Sequence, residues 1–286
     1  MLDLFTRRTF VAGLVLALFF FAGLSSFFLV LALCLQIGLG FTALGAGLTV
    51  VPFSIGGAIG SGTSVQVAPR IGRRVLSLGT LLFAAGMAGV VLTISITGTS
   101  LSGWHLIPAL FVAGVGMGLV IPPLADIILA GVPEHAAGSA SGVVSTTMQL
   151  GTTAGIVVIG LVFFGLLSSQ AQPSADAVVP QIRSGLQAAG VPQNYSEQVV
   201  DSFRACFHDR MAAQDPSVVP PSCQAENGVQ EQVRTVVGSA ATEAAKRDFI
   251  VSTSNTVWYE VALFLLTFLL VFLLPRKARV TEYTGA

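Results

Sequence analysis

Six long apolar runs dominate the chain: Thr9–Gln36, Ala43–Val67, Val75–Thr97, His105–Gly131, Ser139–Leu166 and Val257–Leu274. A bilayer core about 30 Å thick is crossed by a helix of about 20 mostly apolar residues. Each run is close to that length or exceeds it. Each must also be helical, because lipid offers nothing for free backbone N–H and C=O groups to bond to. The pattern therefore predicts an all-α membrane protein with six transmembrane helices. The first run is too long for a signal peptide and no small-residue cleavage site follows it, so it reads as a retained span. The first and fifth runs exceed a perpendicular crossing, which implies tilt or protrusion.

The segment 167–256 breaks the apolar pattern. Within it, Val199, Val200, Phe203, Phe207 and Met211 form one apolar stripe at helical spacing. Val229, Val233, Val236, Ala240 and Ala244 form another, and a proline-rich turn, Asp215–Ser222, separates them. The economical expectation is a small helical hairpin, with a disordered loop as the alternative. The chain then divides into residues 1–166 (spans one to five), 167–256 (an outer cap) and 257–286 (the sixth span and a tail).

Composition agrees with the pattern. Hydrophobic residues make up 53% and charged residues 10%, against roughly 25% charged in soluble domains. So few charges cannot cover a soluble fold of this size. Net charge is zero, and without a basic excess nucleic acid is not an expected partner. The charges are nevertheless sorted. Arg7, Arg8, Arg70, Arg73, Arg74, Arg276, Lys277 and Arg279 fall on one side if the spans alternate, and the short loops 37–42 and 98–104 carry no Lys or Arg. Basic short loops stay in the cytoplasm, so both termini are expected there and segment 167–256 outside. Trp104, Trp258 and Tyr259 then meet at the outer boundary, where amphipathic rings prefer to sit.

No enzyme chemistry emerges. The histidines His105, His135 and His208 are scattered, and no CxxC or HxxxH occurs. No glycine-rich loop ends in Gly-Lys, so ATP hydrolysis is not expected, nor is a metal or cofactor. Cys206 and Cys223 flank the proline-rich turn and are expected to form a disulfide outside the membrane, the alternative being two unpaired thiols. Cys34 reads as a small packing residue.

The remaining candidates are polar groups inside the spans, which are costly in lipid and usually face a cavity or a partner. Asp126 lies near the end of the fourth span, just past Pro122 and Pro123, a pair expected to kink the helix. Burial and an unfavourable helix dipole would suit it to proton coupling; the alternative is a solvated interfacial acid. Glu260, in the first turn of the sixth run, reads as a solvated interfacial residue. Ser145, Thr146, Gln149 and Thr152 give the fifth span a polar centre, with Gln149 expected to point into the bundle. Ser25 and Gln36 of the first span are weaker candidates of the same kind. Glycines recur at four-residue spacing (Gly56/Gly60, Gly114/Gly118, Gly138/Gly142, Gly151/Gly155), which predicts close helix packing.

Gly62 followed by Pro69-Arg70-Ile71-Gly72-Arg73-Arg74 resembles the loop signature of the major facilitator superfamily, with Pro69 where that signature carries an Asp. The fourth and fifth runs are similar to the fourteen-span drug:proton antiporter family of that superfamily. The matching residues are Gly114-x-Gly116-x-Gly118, Pro122-Pro123, Gly131-Val132-Pro133, Ala137-Gly138, Ser141-Gly142 and Gln149-Leu150-Gly151. Met148 precedes Gln149 where that family commonly has Arg. The long outer loop and the ending Leu273-Leu274-Pro275-Arg276 are also similar. The resemblance implies one six-span bundle, the carboxy-terminal half of an antiporter in the plasma membrane. It would export drugs or other hydrophobic small molecules against protons by alternating access. The first, second, fourth and fifth spans would line the pathway, and the third and sixth would face lipid. The partner it implies is a missing amino-terminal bundle or another copy, and the chain itself a fragment or half of a complex. A stand-alone six-span scaffold or interaction protein without transport is the alternative.

Overall fold

The computed structural model describes residues 5–130, 132–213, 218–223 and 231–274. Arg276, Lys277 and Arg279 of the sorted charges, Gly131 of the glycine–proline motif, Val229 of the second stripe, and part of the proline-rich turn lie outside the described residues. The helices are α1 (Arg8–Leu33), continued by a π-helical turn (Cys34–Gly38), α2 (Ala43–Ile71), α3 (Arg74–Thr97), α4 (Gly103–Leu129), α5 (Ala137–Ala188), α6 (Gln193–Ala212) and α7 (Glu231–Val271). No strand occurs among the described residues. All but α6 are long and apolar enough to cross a membrane.

Local chemistry sets the helix ends. Thr42 is extended and its Oγ1 accepts the Gly45 N–H at 3.1 Å, capping α2. The Ser102 N–H donates to His105 Nδ1 at 3.2 Å at the start of α4, so His105 serves the helix end. α2 stops at Gly72, whose φ of 57° and ψ of −135° suit only a residue without Cβ. The turn so made delivers Arg73 to the far end of α7. Arg73 Nη1 donates to the Phe272 carbonyl at 2.8 Å and to the Leu274 carbonyl, and its guanidinium lies 5.5 Å from the Phe272 ring centroid. A cation there satisfies terminal carbonyls and complements the helix dipole. Arg70 and Arg74 are exposed.

Phe83 of α3 is the hub of the core. Its buried ring stands 4.4 Å from Phe264 (α7), 5.9 Å from Phe20 and 6.3 Å from Phe27 (α1), and 6.2 Å from Phe53 (α2). Around it the helices approach through glycine. A Cβ at Gly114 would collide with the Phe53 carbonyl, at Gly118 with that of Gly57, at Gly56 with that of Phe111, and at Gly60 with that of Val115. Those four residues lock α2 to α4. Gly151 and Gly155 meet the carbonyls of Leu18 and Ala22 and lock α5 to α1. Gly138 and Gly142 differ from the expectation: a Cβ on either would meet open space. Over their most apolar stretches α3 and α4 are the most enclosed spans (56% of each buried), and α2 and α5 the least (33%). α3 nonetheless keeps an exposed apolar face, with Leu78, Leu81, Leu92 and Ile96.

The segment 167–256 is not a free-standing hairpin. α5 runs unbroken for 52 residues and α7 for 41, roughly 78 and 61 Å at the rise of a helix. Both leave the bundle and pack with α6 as a three-helix cap. The cause is a stripe continuing past Leu166, with Ala171, Ala175, Val178, Val179, Ile182 and Leu186 all buried. They meet Val199, Val200, Phe203 and Phe207 of α6 and Val233, Ala240 and Ala244 of α7 in a second core. On α7 the two cores change over between Ala244 and Phe249, earlier than the expected boundary at Val257. Cys206 and Cys223 are joined by a disulfide, Cα–Cα 4.7 Å. Arg183 donates to both carboxylate oxygens of Glu197, at 3.1 and 2.8 Å, and these bonds hold the Glu197 carboxyl below the usual carboxylate range. Asp209 accepts from the Ser222 hydroxyl at 2.7 Å.

Gly118→Ala should overpack the α2–α4 contact, at a cost of about 1–3 kcal/mol. It should lower the unfolding midpoint of the solubilised protein in differential scanning fluorimetry, whereas Gly142→Ala should leave it unchanged or raise it; the reverse order would refute the packing assigned to these glycines. Cys206→Ser should release a loop closure worth about 3 kcal/mol. Hydrogen exchange should then rise in α6 and leave α1–α4 as protected as before.

Candidate functional site

The polar residues of α1 and α5 are only partly brought together. Ser25 Oγ donates to Thr152 Oγ1 at 3.2 Å across the two helices. Ser145, Thr146 and Gln149 are exposed on α5. Gln149 therefore does not turn into the bundle. α5 presents Gly151 to α1, and two residues carry Gln149 roughly 200° around the helix from that contact. Gln36 is exposed on the π-helical turn at the cap end of α1, apart from the others.

Asp126 is exposed. α4 runs through Pro122 and Pro123 without a break and buries Leu119, Val120, Pro123, Leu124, Ile127 and Ile128, which leaves Asp126 on the other side. The expected proximity to the helix end holds, since α4 stops at Leu129; the expected burial does not. Asp126 makes no ion pair among the described residues.

The buried polar groups lie instead on α7. Asp248, Ser252, Thr253, Thr256, Glu260 and Thr267 are all fully buried. Both carboxyl oxygens of Glu260, and Oδ2 of Asp248, are enclosed without a hydrogen-bond partner; Asp248 Oδ1 accepts from the Ser252 hydroxyl at 3.3 Å. α7 runs antiparallel to α1, and the pairs along the seam fix its register. Gly23 takes the Phe264 ring, Ser26 faces Glu260, Cys34 faces Thr253, and Gly38 takes Phe249. The Ser26 hydroxyl is turned back to the carbonyls of Ala22 and Gly23, at 2.9 and 3.1 Å.

The reading of Glu260 as a solvated first-turn residue is thus corrected. That reading started the helix at Val257, whereas α7 starts at Glu231, which puts Glu260 in mid-helix with no dipole to favour its charge. The signal was present in the sequence. Asp248, Ser252, Thr256 and Glu260 recur every four residues, a spacing that stacks side chains along one face of a helix.

No cluster of three or more His, Cys, Asp or Glu that could hold a metal occurs among the described residues. A recess of about 480 Å³ opens where the cap meets the end of α3, lined by Ile96, Thr97, Gln170, Ser174, Arg247 and Ile250 among others. It contains none of the polar residues singled out in the sequence.

Residues 1–156 match the family model described as Major Facilitator Superfamily. Across 282 residues, 98% of the chain, the sequence is 38% identical to the "Probable actinorhodin transporter" of Streptomyces coelicolor, of which the alignment covers 49%. It is 31% identical over 144 residues to the puromycin resistance protein pur8 of Streptomyces alboniger (50% of this chain, 29% of that protein). It is 32% identical over 141 residues to the multidrug resistance protein Stp of Mycobacterium tuberculosis (49% and 26%). The chain thus spans about half the length of the first of these relatives and less of the others. With six apolar spanning helices, an all-helical bundle and a family match over more than half of its residues, this chain belongs to the major facilitator superfamily.

Proposed function

We propose that the chain forms one six-helix bundle of a proton-driven exporter of hydrophobic small molecules that works by alternating access. The observation that carries this reading is the 38% identity, sustained over 98% of the chain, to a protein named as an actinorhodin transporter. Relatives named for resistance to puromycin and to multiple drugs support the same substrate class. On this reading the chain corresponds to the carboxy-terminal half of a fourteen-span antiporter in the plasma membrane, with both termini cytoplasmic and the cap outside. The second bundle is then an amino-terminal bundle or another copy of this one.

Transporters of this architecture hold substrate between two bundles near the membrane midplane. The exposed polar face of α5, with Ser145, Thr146 and Gln149 beside the Ser25–Thr152 bond, suits that role. Polar groups on a spanning helix are poorly placed against lipid and well placed against a second bundle. Asp126, exposed near the end of α4, would exchange protons at the same pathway.

The test is dye efflux from cells producing the complete two-bundle transporter, with and without a protonophore. Efflux should stop when the proton gradient is collapsed. Asp126→Asn should lose gradient-driven efflux, by about tenfold or more for a missing coupling carboxyl, at unchanged protein level in the membrane. Efflux that survives the protonophore would refute proton coupling, and undiminished efflux in Asp126→Asn would refute the role of that residue.

A further inference from the structure

We propose that Glu260 is a protonation-dependent lock on the α1–α7 seam, so that loss of its proton opens the packing of these helices. Its link to a transport cycle rests on the proton-driven reading above; the lock itself does not.

Geometry carries the argument. Glu260 is fully buried and, among the described residues, neither carboxyl oxygen has a hydrogen-bond partner. The elements packed on α7 are α5, α3, α1 and the turns beside them. Their charged groups are Arg8 of α1, Arg73 and Arg74 at the start of α3, and Asp176 and Arg183 of α5. The first three stand at helix ends, Arg73 on the carbonyls of Phe272 and Leu274, and the other two in the cap. From α1 the seam offers Ser26 and the Cys34 thiol, and from α3 the Phe83 ring beside Phe264. On α7 itself, the next acid is Asp248, three turns towards the cap, roughly 18 Å along the axis. The nearest cations on α7, Lys246 and Arg247, lie beyond Asp248 towards the cap, so among the described residues no cation pairs with the Glu260 carboxyl. An uncharged carboxyl fits this packing, and the Ser26 hydroxyl can turn to meet it. An ionised carboxylate taken out of water and left unpaired does not. It must draw in water or a cation, and either requires α7 to move from α1. The seam is built for such a two-state response. Phe264 and Phe249 plug into the spaces at Gly23 and Gly38 at its two ends, and the pairs Ser26–Glu260 and Cys34–Thr253 lie between those knobs.

Cys34 is a natural reporter. It lies buried in the seam two turns from Ser26, and it is the free cysteine, the other two being joined in the cap. The experiment follows the reaction of Cys34 with a small membrane-permeant thiol reagent as pH is raised, in the full chain in lipid nanodiscs. Glu260→Gln, a neutral mimic of the protonated acid, is measured beside it. Comparison at each pH cancels the titration of the thiol itself. At high pH the unaltered protein should react faster than Glu260→Gln by about tenfold or more, and at low pH the two should coincide. Identical rate–pH curves would overturn the proposal. Should Glu260→Gln fail to fold, hydrogen exchange across residues 252–264 of the unaltered protein gives the same reading. Corrected for intrinsic exchange, protection should fall as pH rises, and pH-independent protection would overturn the lock. A lock confirmed in a protein that shows no proton-driven efflux would refute the transport reading alone. Proton-driven efflux with unchanged seam opening would refute the lock alone.

Discussion

Helices in lipid gain nothing from hydrophobic association with one another, so what holds this bundle is how closely their backbones and rings can approach. Three contacts follow from that constraint. α2 meets α4 backbone to backbone through Gly56, Gly60, Gly114 and Gly118, and α5 meets α1 through Gly151 and Gly155. Phe83 gathers rings from α1, α2 and α7 into one aromatic centre. These contacts leave α2 and α5 only partly enclosed and α3 and α4 well enclosed. The bundle is therefore asymmetric, with an open face on α5, which also carries the exposed Ser145, Thr146 and Gln149.

The α1–α7 seam obeys the same constraint differently. Gly23 and Gly38 admit phenyl rings where the other glycines admit backbone, and the stretch between the two knobs holds Ser26, Cys34, Thr253 and Glu260. A close contact that buries an unpaired carboxyl favours its neutral form. The far end of α7 is tied by Arg73, which reaches its last carbonyls from the α2–α3 turn. The helix that carries the buried acid is thus fixed at one end by the Arg73 contact and at the other by the cap core.

Much of this was legible in the residues. The six spans follow from the length of the apolar runs, and close packing at Gly56/Gly60, Gly114/Gly118 and Gly151/Gly155 from their spacing, though not which helices meet there; the cap stripes follow from periodicity over their described residues. Gly72 and Arg73 stood out as part of a loop signature, and the structure supplies the reason: a backbone turn closed to other residues and a guanidinium for helix-end carbonyls. Where the reading failed, it failed on helix ends. Hydropathy marks where a helix leaves lipid, not where it stops, so α5 and α7 seemed to end at Leu166 and begin at Val257. That error misplaced the dipole at Glu260 and hid the four-residue ladder from Asp248. The exposed positions of Gln149 and Asp126 escaped the sequence for a related reason. Depth along a span can be read from sequence, but the side of the helix depends on which neighbour its glycines choose.

This packing accepts Glu260 only without its charge. Infrared difference spectroscopy of the protein in lipid reads that charge state, because a protonated carboxyl absorbs apart from a carboxylate. A protonated-carboxyl band should appear that Glu260→Gln removes and Asp126→Asn leaves in place, and it should be lost in step with opening of the α1–α7 seam. A band indifferent to Glu260→Gln, or an ionised Glu260 in a seam that stays closed, would contradict it.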